Sequence, residues 1–542
     1  MFSRGMNRKE FLAAMVVGGI SSTASLAQSP RHALEISKNS AQQKKPVPGI
    51  YNVRTFGATG DGKMLDSIAI NKAIEEASVA GGGTVYLPAG SYLCYSLRLK
   101  SSISIYLDSG AKIIAADVPL EGTASGGYDA AGPAQPWENY QDFGHSHWHN
   151  SLLWGEDLHD VSITGPGLIW GKGLSRGEPD ELPHAESPGV GNKAIALKNC
   201  RNVLLRDFSM LMGGHFAILL TGVDNVTIDN LKIDTNRDGI DIDCCRNVHV
   251  SNCSVNSPWD DGICPKSSFA LGYARTTENV TINNCYVTGI FDYGTFLDGT
   301  FKRMEFPLGS RRPVGRIKCG TESNGGFKNI AVSNCVFESC RGFALETVDG
   351  AQIEDVTVTN ITMRGVVHSP LFLRLGSRMR GPSGVAPGVL KRILLSNIVS
   401  YNAVAEYPSI ISGVPGYPVE DIKISDMYLH QRGGGTKEWA AIQPPEKEAG
   451  YPEATMFGTL PASGFFVRHA RNVEFSNIEI ATDKADERVA FWMQDVQGAD
   501  LFRVKTSRPA IGFSLQDIKN FRNFGSRDFK DTTESTIERL KF

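Results

Sequence analysis

The chain has 542 residues, 41% of them apolar, which is ample for a large buried core and long enough for more than one domain. Its 55 basic and 58 acidic residues leave a net charge of -3, so no global field draws it to nucleic acid or a membrane surface, and an anionic ligand must be held by local charge. The 57 glycines and 9% aromatic share suit many short strands joined by tight turns, an all-β composition.

Met1 to Ala27 reads as an export signal: Arg4, Arg8 and Lys9 precede the apolar run Phe11 to Ile20, and Ser25-Leu26-Ala27 supplies a small-residue cleavage site. The stretch Asn7 to Leu12 resembles a twin-arginine signal, with Lys9 where the second arginine usually stands. This pattern implies a periplasmic or extracellular protein without a membrane span, since the apolar run is too short for one. Gln28 to Pro48 is polar and proline-bearing, a flexible lead-in. An amphipathic helix is expected near Asp66 to Ala80, between the glycine-rich segments Tyr51 to Gly62 and Gly81 to Gly90.

A degenerate repeat follows. Val226-Thr-Ile-Asp-Asn230, Val248-His-Val-Ser-Asn252, Val280-Thr-Ile-Asn-Asn284, Ile330-Ala-Val-Ser-Asn334, Val356-Thr-Val-Thr-Asn360, Ile393-Leu-Leu-Ser-Asn397 and Val473-Glu-Phe-Ser-Asn477 are short alternating strands that end in asparagine. Asn230 and Asn252 lie 22 residues apart, and the next intervals to Asn397 are 32, 50, 26 and 37. A constant minimum with variable excess means stacked rungs carrying loops of different length. Such strands cannot bury an apolar face alone, so they predict one right-handed parallel β-helix over residues 49–515, with a tail over 516–542. An antiparallel sandwich also alternates, but it gives no reason for asparagine at rung-length intervals. The asparagine can adopt a left-handed turn and pair its amide with the next rung. Cys200, Cys253, Cys285 and Cys335 follow asparagine at one point of the repeat, which marks them as small buried stacking residues with free thiols. Segments 119–148, 175–192, 293–314 and 431–458 are too long for a rung and should wall one side of the solenoid.

The chemistry concentrates in Asp234-Thr-Asn-Arg-Asp238-Gly-Ile-Asp241 and, one repeat later, Trp259-Asp260-Asp261-Gly-Ile-Cys-Pro-Lys266. Asp238 and Asp260 are 22 residues apart, so stacking should bring Asp238 beside Asp260 and Asp261, roughly 5 Å away. Three carboxylates that close cannot all stay ionised cheaply, and one should hold a proton. A lone Asp-Gly pair is ordinarily a turn, and Asp224, Asp243 and Asp298 read as structural. Asp241 fits either face of its strand.

These residues carry a resemblance. Asn236-Arg237-Asp238 resembles the Asn-Thr-Asp motif of glycoside hydrolase family 28, the polygalacturonase and rhamnogalacturonase-like pectinases, with Arg237 in place of threonine. Asp260-Asp261 followed by Lys266-Ser267 resembles that family's Asp-Asp and Lys-Ser, and Tyr51 to Gly90 resembles its opening, in which one helix caps the core. The resemblance implies inverting hydrolysis of an acidic, pectin-like polysaccharide by a monomer needing neither cofactor nor metal, with Asp260 as the acid and Asp238 and Asp261 serving the water.

Departures from the family pattern imply an unusual substrate. No histidine occurs between His249 and His368, where the family's Gly-His-Gly should fall. Arg316-Ile317-Lys318 matches Arg-Ile-Lys one rung too early, so Arg316 and Lys318 are either displaced substrate cations or ordinary strand residues, and Ala344-Leu345-Glu346 occupies the proper place. His215, 23 residues before Asp238, is a candidate at the groove edge. Arg374, Arg378 and Arg380 offer guanidinium groups suited to uronate carboxylates or to solvent, and Glu346 and Asp349 are further acidic candidates. The substrate-binding set is thus His215, Lys266, Arg316, Lys318 and Arg374. Branched or rhamnose-containing pectin fragments fit these departures better than long unmodified homogalacturonan. A calcium-dependent lyase and a non-catalytic glycan-binding β-helix are the competing readings.

Overall fold

The computed structural model describes residues 49–118, 127–177, 184–304, 313–506, 512–527 and 529–541. The chain divides into Met1–Lys45 and Pro46–Phe542; the first unit, with the export signal and most of the lead-in, lies outside the described residues. Pro46–Phe542 forms a right-handed parallel β-helix. Its repeat is the expected one: Val226 pairs with Val248, Val248 with Val280, Val280 with Ile330, Ile330 with Val356 and Val356 with Ile393. These aliphatics are buried, so each rung closes the apolar face of the one before it.

The rung-ending asparagines explain the sharp corner. Asn252, Asn284, Asn360 and Asn397 all have φ between 54° and 57°. Asn side chains tolerate this left-handed region better than most because they can bond locally. Asn284 Nδ2 donates to Asn252 Oδ1 at 3.3 Å, Asn360 to Asn334 at 3.0 Å and Asn397 to Asn360 at 3.2 Å, an amide ladder along the outside. A second ladder, at the other end of the same strands, joins Asn202, Asn225, Asn247, Asn279 and Asn329. All ten cysteines are buried free thiols.

The helix Ser67–Val79 buries Ile70, Ala73, Ile74 and Ala77 against the first rungs and so shields the end of the core. The other end is closed by β-structure where a tail was expected. Phe513–Phe524 adds a last parallel strand, and Thr532–Lys541 folds back on it antiparallel, which satisfies the open edge that a parallel stack always leaves.

One ladder of strands forms the floor on which the candidate site stands: β1 (Ser151–Glu156), β2 (Lys193–Lys198), β3 (Phe216–Thr221), β4 (Asp238–Asp243), β5 (Ile263–Lys266), β6 (Ile317–Cys319), β7 (Phe343–Thr347), β8 (Leu371–Leu375), β9 (Ser409–Ser412) and β10 (Ala462–Lys484). Each is parallel to the next.

Asn360→Ala should destabilise the helix by about 1–2 kcal/mol for the left-handed backbone and about 0.5–1.5 kcal/mol for lost amide bonding. Asn360→Gly should recover only the backbone share. Thermal midpoints at one fixed scan rate check this; equal losses in both variants would show that left-handed strain plays no part.

Candidate active site

The one-rung spacing does what stacking requires: one carboxylate oxygen from each of Asp238, Asp260 and Asp261 lies within 4.8 Å of the others. Asp238 opens β4, and Asp260-Asp261 lead into β5 on the next rung. Gly239 N donates to Asp261 O at 2.9 Å and Gly262 N to Arg316 O at 2.8 Å, so backbone ladder bonds hold the cluster together. Gly239 is needed for this approach, because a Cβ there would collide with the carbonyl oxygen of Gly262. These Asp-Gly pairs are rung junctions, not free turns.

The three aspartates differ in surroundings. Asp260 is the accessible one, its side chain 28% exposed against 3% for Asp238 and 1% for Asp261. Arg237 NH2 lies 3.0 Å from Asp260 Oδ2. Burial pushes the Asp260 carboxyl up, yet Arg237, Lys318 and Lys266 outweigh it and bring it down to about 2. Asp261 sits between Arg316 Nε at 2.8 Å and Lys318 Nζ at 2.5 Å. Asp238's ion pair among the described residues is the longer one with Lys266 Nζ, at 3.8 Å. Burial, with Asp241 and Asp260 alongside, holds Asp238 well above the usual carboxylate range. Of Asp238 and Asp260, Asp238 is thus the one whose protonated form is favoured.

Asp241 faces outward beside this cluster, 3.1 Å from Lys266 Nζ, and burial raises it to about 6 against the pull of Lys266 and His145. Lys266 reaches Asp238, Asp241 and His145 Nε2 rather than the surface. Asp243 is fixed by Ser268, Asp224 by Arg275, and Asp298 by its own turn with Thr300. All three have structural partners.

Several expected substrate contacts take other positions. Arg316 and Lys318 are 1% and 3% exposed; both are bound to Asp261, so they position a carboxylate instead of presenting charge to the cleft. His215 bridges Asp142 Oδ2 at 3.2 Å and Arg237 NH1 at 3.1 Å, beneath the surface. Arg374 is a clear correction: at 1% exposure it donates to Ser412 Oγ, Gly413 O and Lys447 O and anchors a loop. Arg378 is paired with Asp349, Nε to Oδ1 at 2.9 Å.

Distant segments contribute residues that no local pattern disclosed. Glu453 enters from segment 431–458 to meet Arg316 NH2 at 2.5 Å and Arg341 NH1 at 2.8 Å. Burial raises its neighbour Glu346 to about 7 against Lys318 and Arg316. Tyr451 Oη lies 3.2 Å from Thr321 Oγ1. Asp142 and His145 come from segment 119–148, where His145 and His147, with His149 just beyond it, are a visible if unspecific signal.

Fold and cluster together define a parallel β-helix with an acidic centre on its floor sheet. The family model for rhamnogalacturonase A/epimerase, pectate lyase-like proteins matches residues 50–121, and that for the right-handed β-helix region matches residues 185–271. The chain is similar to polygalacturonases. It is 24% identical over 444 residues to a probable polygalacturonase of Vitis vinifera, covering 76% of this chain and 80% of that one. The family 28 exopolygalacturonase of Yersinia enterocolitica has a similar fold (TM-score 0.62, 20% identity, 83% of this chain and 78% of that one). So does the exopolygalacturonase of Thermotoga maritima (TM-score 0.53, 20% identity, 72% and 89%). Mannuronan C5-epimerase AlgE1 of Azotobacter vinelandii is 64% identical over only 42 residues, 3% of its length. Among the described residues, no helix is long and apolar enough to cross a membrane.

Asp238→Asn should raise the thermal midpoint near neutral pH and change it little near pH 3. A carboxyl raised in the folded state loses stability as pH climbs from the unfolded to the folded value, and the amide is free of that loss. A gain independent of pH, measured by calorimetry across that range, would mean Asp238 is ionised like its neighbours.

Proposed function

We propose that the protein is an exported glycoside hydrolase that cleaves pectin-like acidic polysaccharide, or its oligomers, at the Asp238, Asp260 and Asp261 cluster. The observation that carries this is a cluster of three carboxylates from adjacent rungs, with one oxygen of each within 4.8 Å of the others, in which burial holds Asp238 above the usual carboxylate range while Arg237 holds Asp260 below it. Glycoside hydrolysis needs an acid for the leaving oxygen and a carboxylate to activate water. Asp260, the accessible member, is the acid; Asp238 and Asp261, deeper, hold the water.

In the free protein the proton lies on Asp238 while Arg237 keeps Asp260 ionised. One transfer prepares both partners. When a bound sugar draws the Arg237 guanidinium from Asp260, the Asp238 proton passes to Asp260, leaving Asp238 charged as the base and Asp260 able to protonate the leaving oxygen. Lys266 then faces an ionised Asp238, and Arg316 and Lys318 stay paired with Asp261. A calcium-dependent lyase fits less well, because the carboxylates that would ligate calcium already face cations. Those pairings also leave Lys266, Arg316 and Lys318 unavailable to a uronate carboxylate, which favours rhamnose-containing or branched substrates over plain homogalacturonan.

The close oxygens, within 4.8 Å, fall below the roughly 6.5–9.5 Å typical of inverting pairs and near the ~5–5.5 Å of retaining ones. Inversion therefore rests on the motif resemblance, and the anomeric configuration of the first product, read by proton NMR, decides it; retention would recast one aspartate as a nucleophile.

Asp260→Asn should lower turnover on the order of a hundredfold to ten-thousandfold with the fold intact. A substrate whose leaving group needs no protonation should rescue Asp260→Asn but not Asp238→Asn or Asp261→Asn. Rescue of Asp238→Asn instead would exchange the roles. Arg237→Thr should move the alkaline limb of kcat/KM, which reports the free enzyme, to higher pH, because Arg237 holds the acid's pKa down before substrate binds; a profile that stays put would refute the proposed transfer.

A further inference from the structure

One outward-facing file of floor residues, a single position followed from rung to rung, changes character twice. Trp154, Ala196 and Leu219 are in register on β1 to β3, and the next member is Asp241 on β4. Cys264 pairs with Asp241, and Lys318 follows Ile317, the partner of Ile263. Beyond Lys318 the file reads Ala344, Phe372, Ile410, Phe466 and Trp492. The floor is thus polar over the rungs of Asp241, Cys264 and Lys318 and apolar on either side.

Each apolar stretch is roofed. Ala196, Phe216 and Leu219 pack with Trp148 and Ala270, separately from the helix core. Trp148 Nε1 donates to Thr221 Oγ1 at 3.1 Å, and Trp137 Nε1 to Ala270 O at 3.2 Å. On the other side Ala454, Phe457 and Leu460 cover Ala344, Phe372, Ile410 and Phe466 in a second separate cluster. The same segment is pinned by Arg374 to Lys447 O, by Arg468 to Pro444 O and Pro445 O, and by Glu453 to Arg316, Arg341 and His368. A groove meant to pass a long polymer would keep its floor wet along its length. Here the dry floor resumes on the rung directly after Lys318.

We propose that the site is a blind pocket, closed along the helix axis on both sides of the aspartates, that accepts the end of a glycan chain and releases its terminal sugars. The charged stretch of floor, from Asp241 to Lys318, spans two rung spacings, roughly 10 Å, and lies beneath the exposed residues of the opening. Asp260 and Asp142, with side chains 28% and 45% exposed, and Tyr451, 56% exposed, are at its opening. The terminal sugar reaches Asp238 and Asp261 while the rest of the chain leaves toward solvent past Tyr451. This assignment rests on the hydrolase reading.

The test is the product series of the wild-type protein on homogalacturonan, rhamnogalacturonan and their oligomers fluorescently labelled at the reducing end. Small sugars should appear from the first sampling, with reducing groups rising while polymer viscosity holds and labelled oligomers shortening stepwise or losing the label with a terminal sugar. Labelled fragments of intermediate size in the earliest samples would overturn the blind pocket and leave the hydrolase reading standing. Absence of cleavage on every substrate would instead overturn the hydrolase reading and the pocket with it. Replacing residues 447–458 by a short glycine-serine turn should add internal cuts and viscosity loss; a folded replacement that still gives only terminal products would also count against the proposal. If that variant fails to fold, the wild-type series still decides.

Discussion

Buried charge on the floor sheet must be neutralised locally, and the rest of the site follows from that constraint. An unpaired carboxylate taken out of water costs several kcal/mol, which a matching cation can offset when geometry is good. The solenoid supplies the geometry by placing residues of successive rungs about 4.8 Å apart. Asp261 thereby meets Arg316 and Lys318 of the next rung, and Asp241 meets Lys266 across one ladder step. Within the aspartate cluster, Asp238 has the longest cation contact, and burial holds it above the usual carboxylate range. In the proposed mechanism, reactivity is a local failure of compensation.

Much of the fold was legible because a parallel solenoid repeats one physical problem. Each rung needs an inward aliphatic pair and a left-handed corner, so the aliphatic-x-aliphatic-x-Asn signature recurs. The reading slipped where another residue solved the corner. Ile422-Lys-Ile-Ser-Asp426 is a full rung between Ile393 and Val473, hidden because Asp426 takes the left-handed position at φ 54°. The C-terminal strand was missed for a different reason: Thr532–Lys541 is mostly exposed and lacks the alternation that marks a buried strand.

The acidic cluster was legible through spacing alone, since residues one rung apart in sequence are neighbours in space. Its partners were not. Glu453 lies 137 residues from Arg316, and Asp142 73 residues from His215. Such contacts depend on how long loops fold back over the sheet, which carries no periodic signal. The same blindness explains Arg374. A file of arginines near a glycine suggests a solvent-facing anion site, but Arg374 donates to Gly413 O and Lys447 O, and Arg468 to Pro444 O and Pro445 O, so both are spent on backbone carbonyl oxygens, three of them in the 443–458 segment.

The early position of Arg316-Ile317-Lys318 now has a physical reason. Had these cations stood one rung later, they would occupy Gly342 and Ala344. Ala344 lies with Ala454 and Phe457 in a buried apolar cluster. A lysine there would have to bury its charge among apolar side chains, which is costly. One rung earlier, both cations find Asp261, and Arg316 also finds Glu453, the residue that pins the roof. The roof and the charged strip are therefore coupled: Arg316 holds Asp261 on the floor and Glu453 in the covering segment, so the cations on this rung serve the aspartate and the roof together.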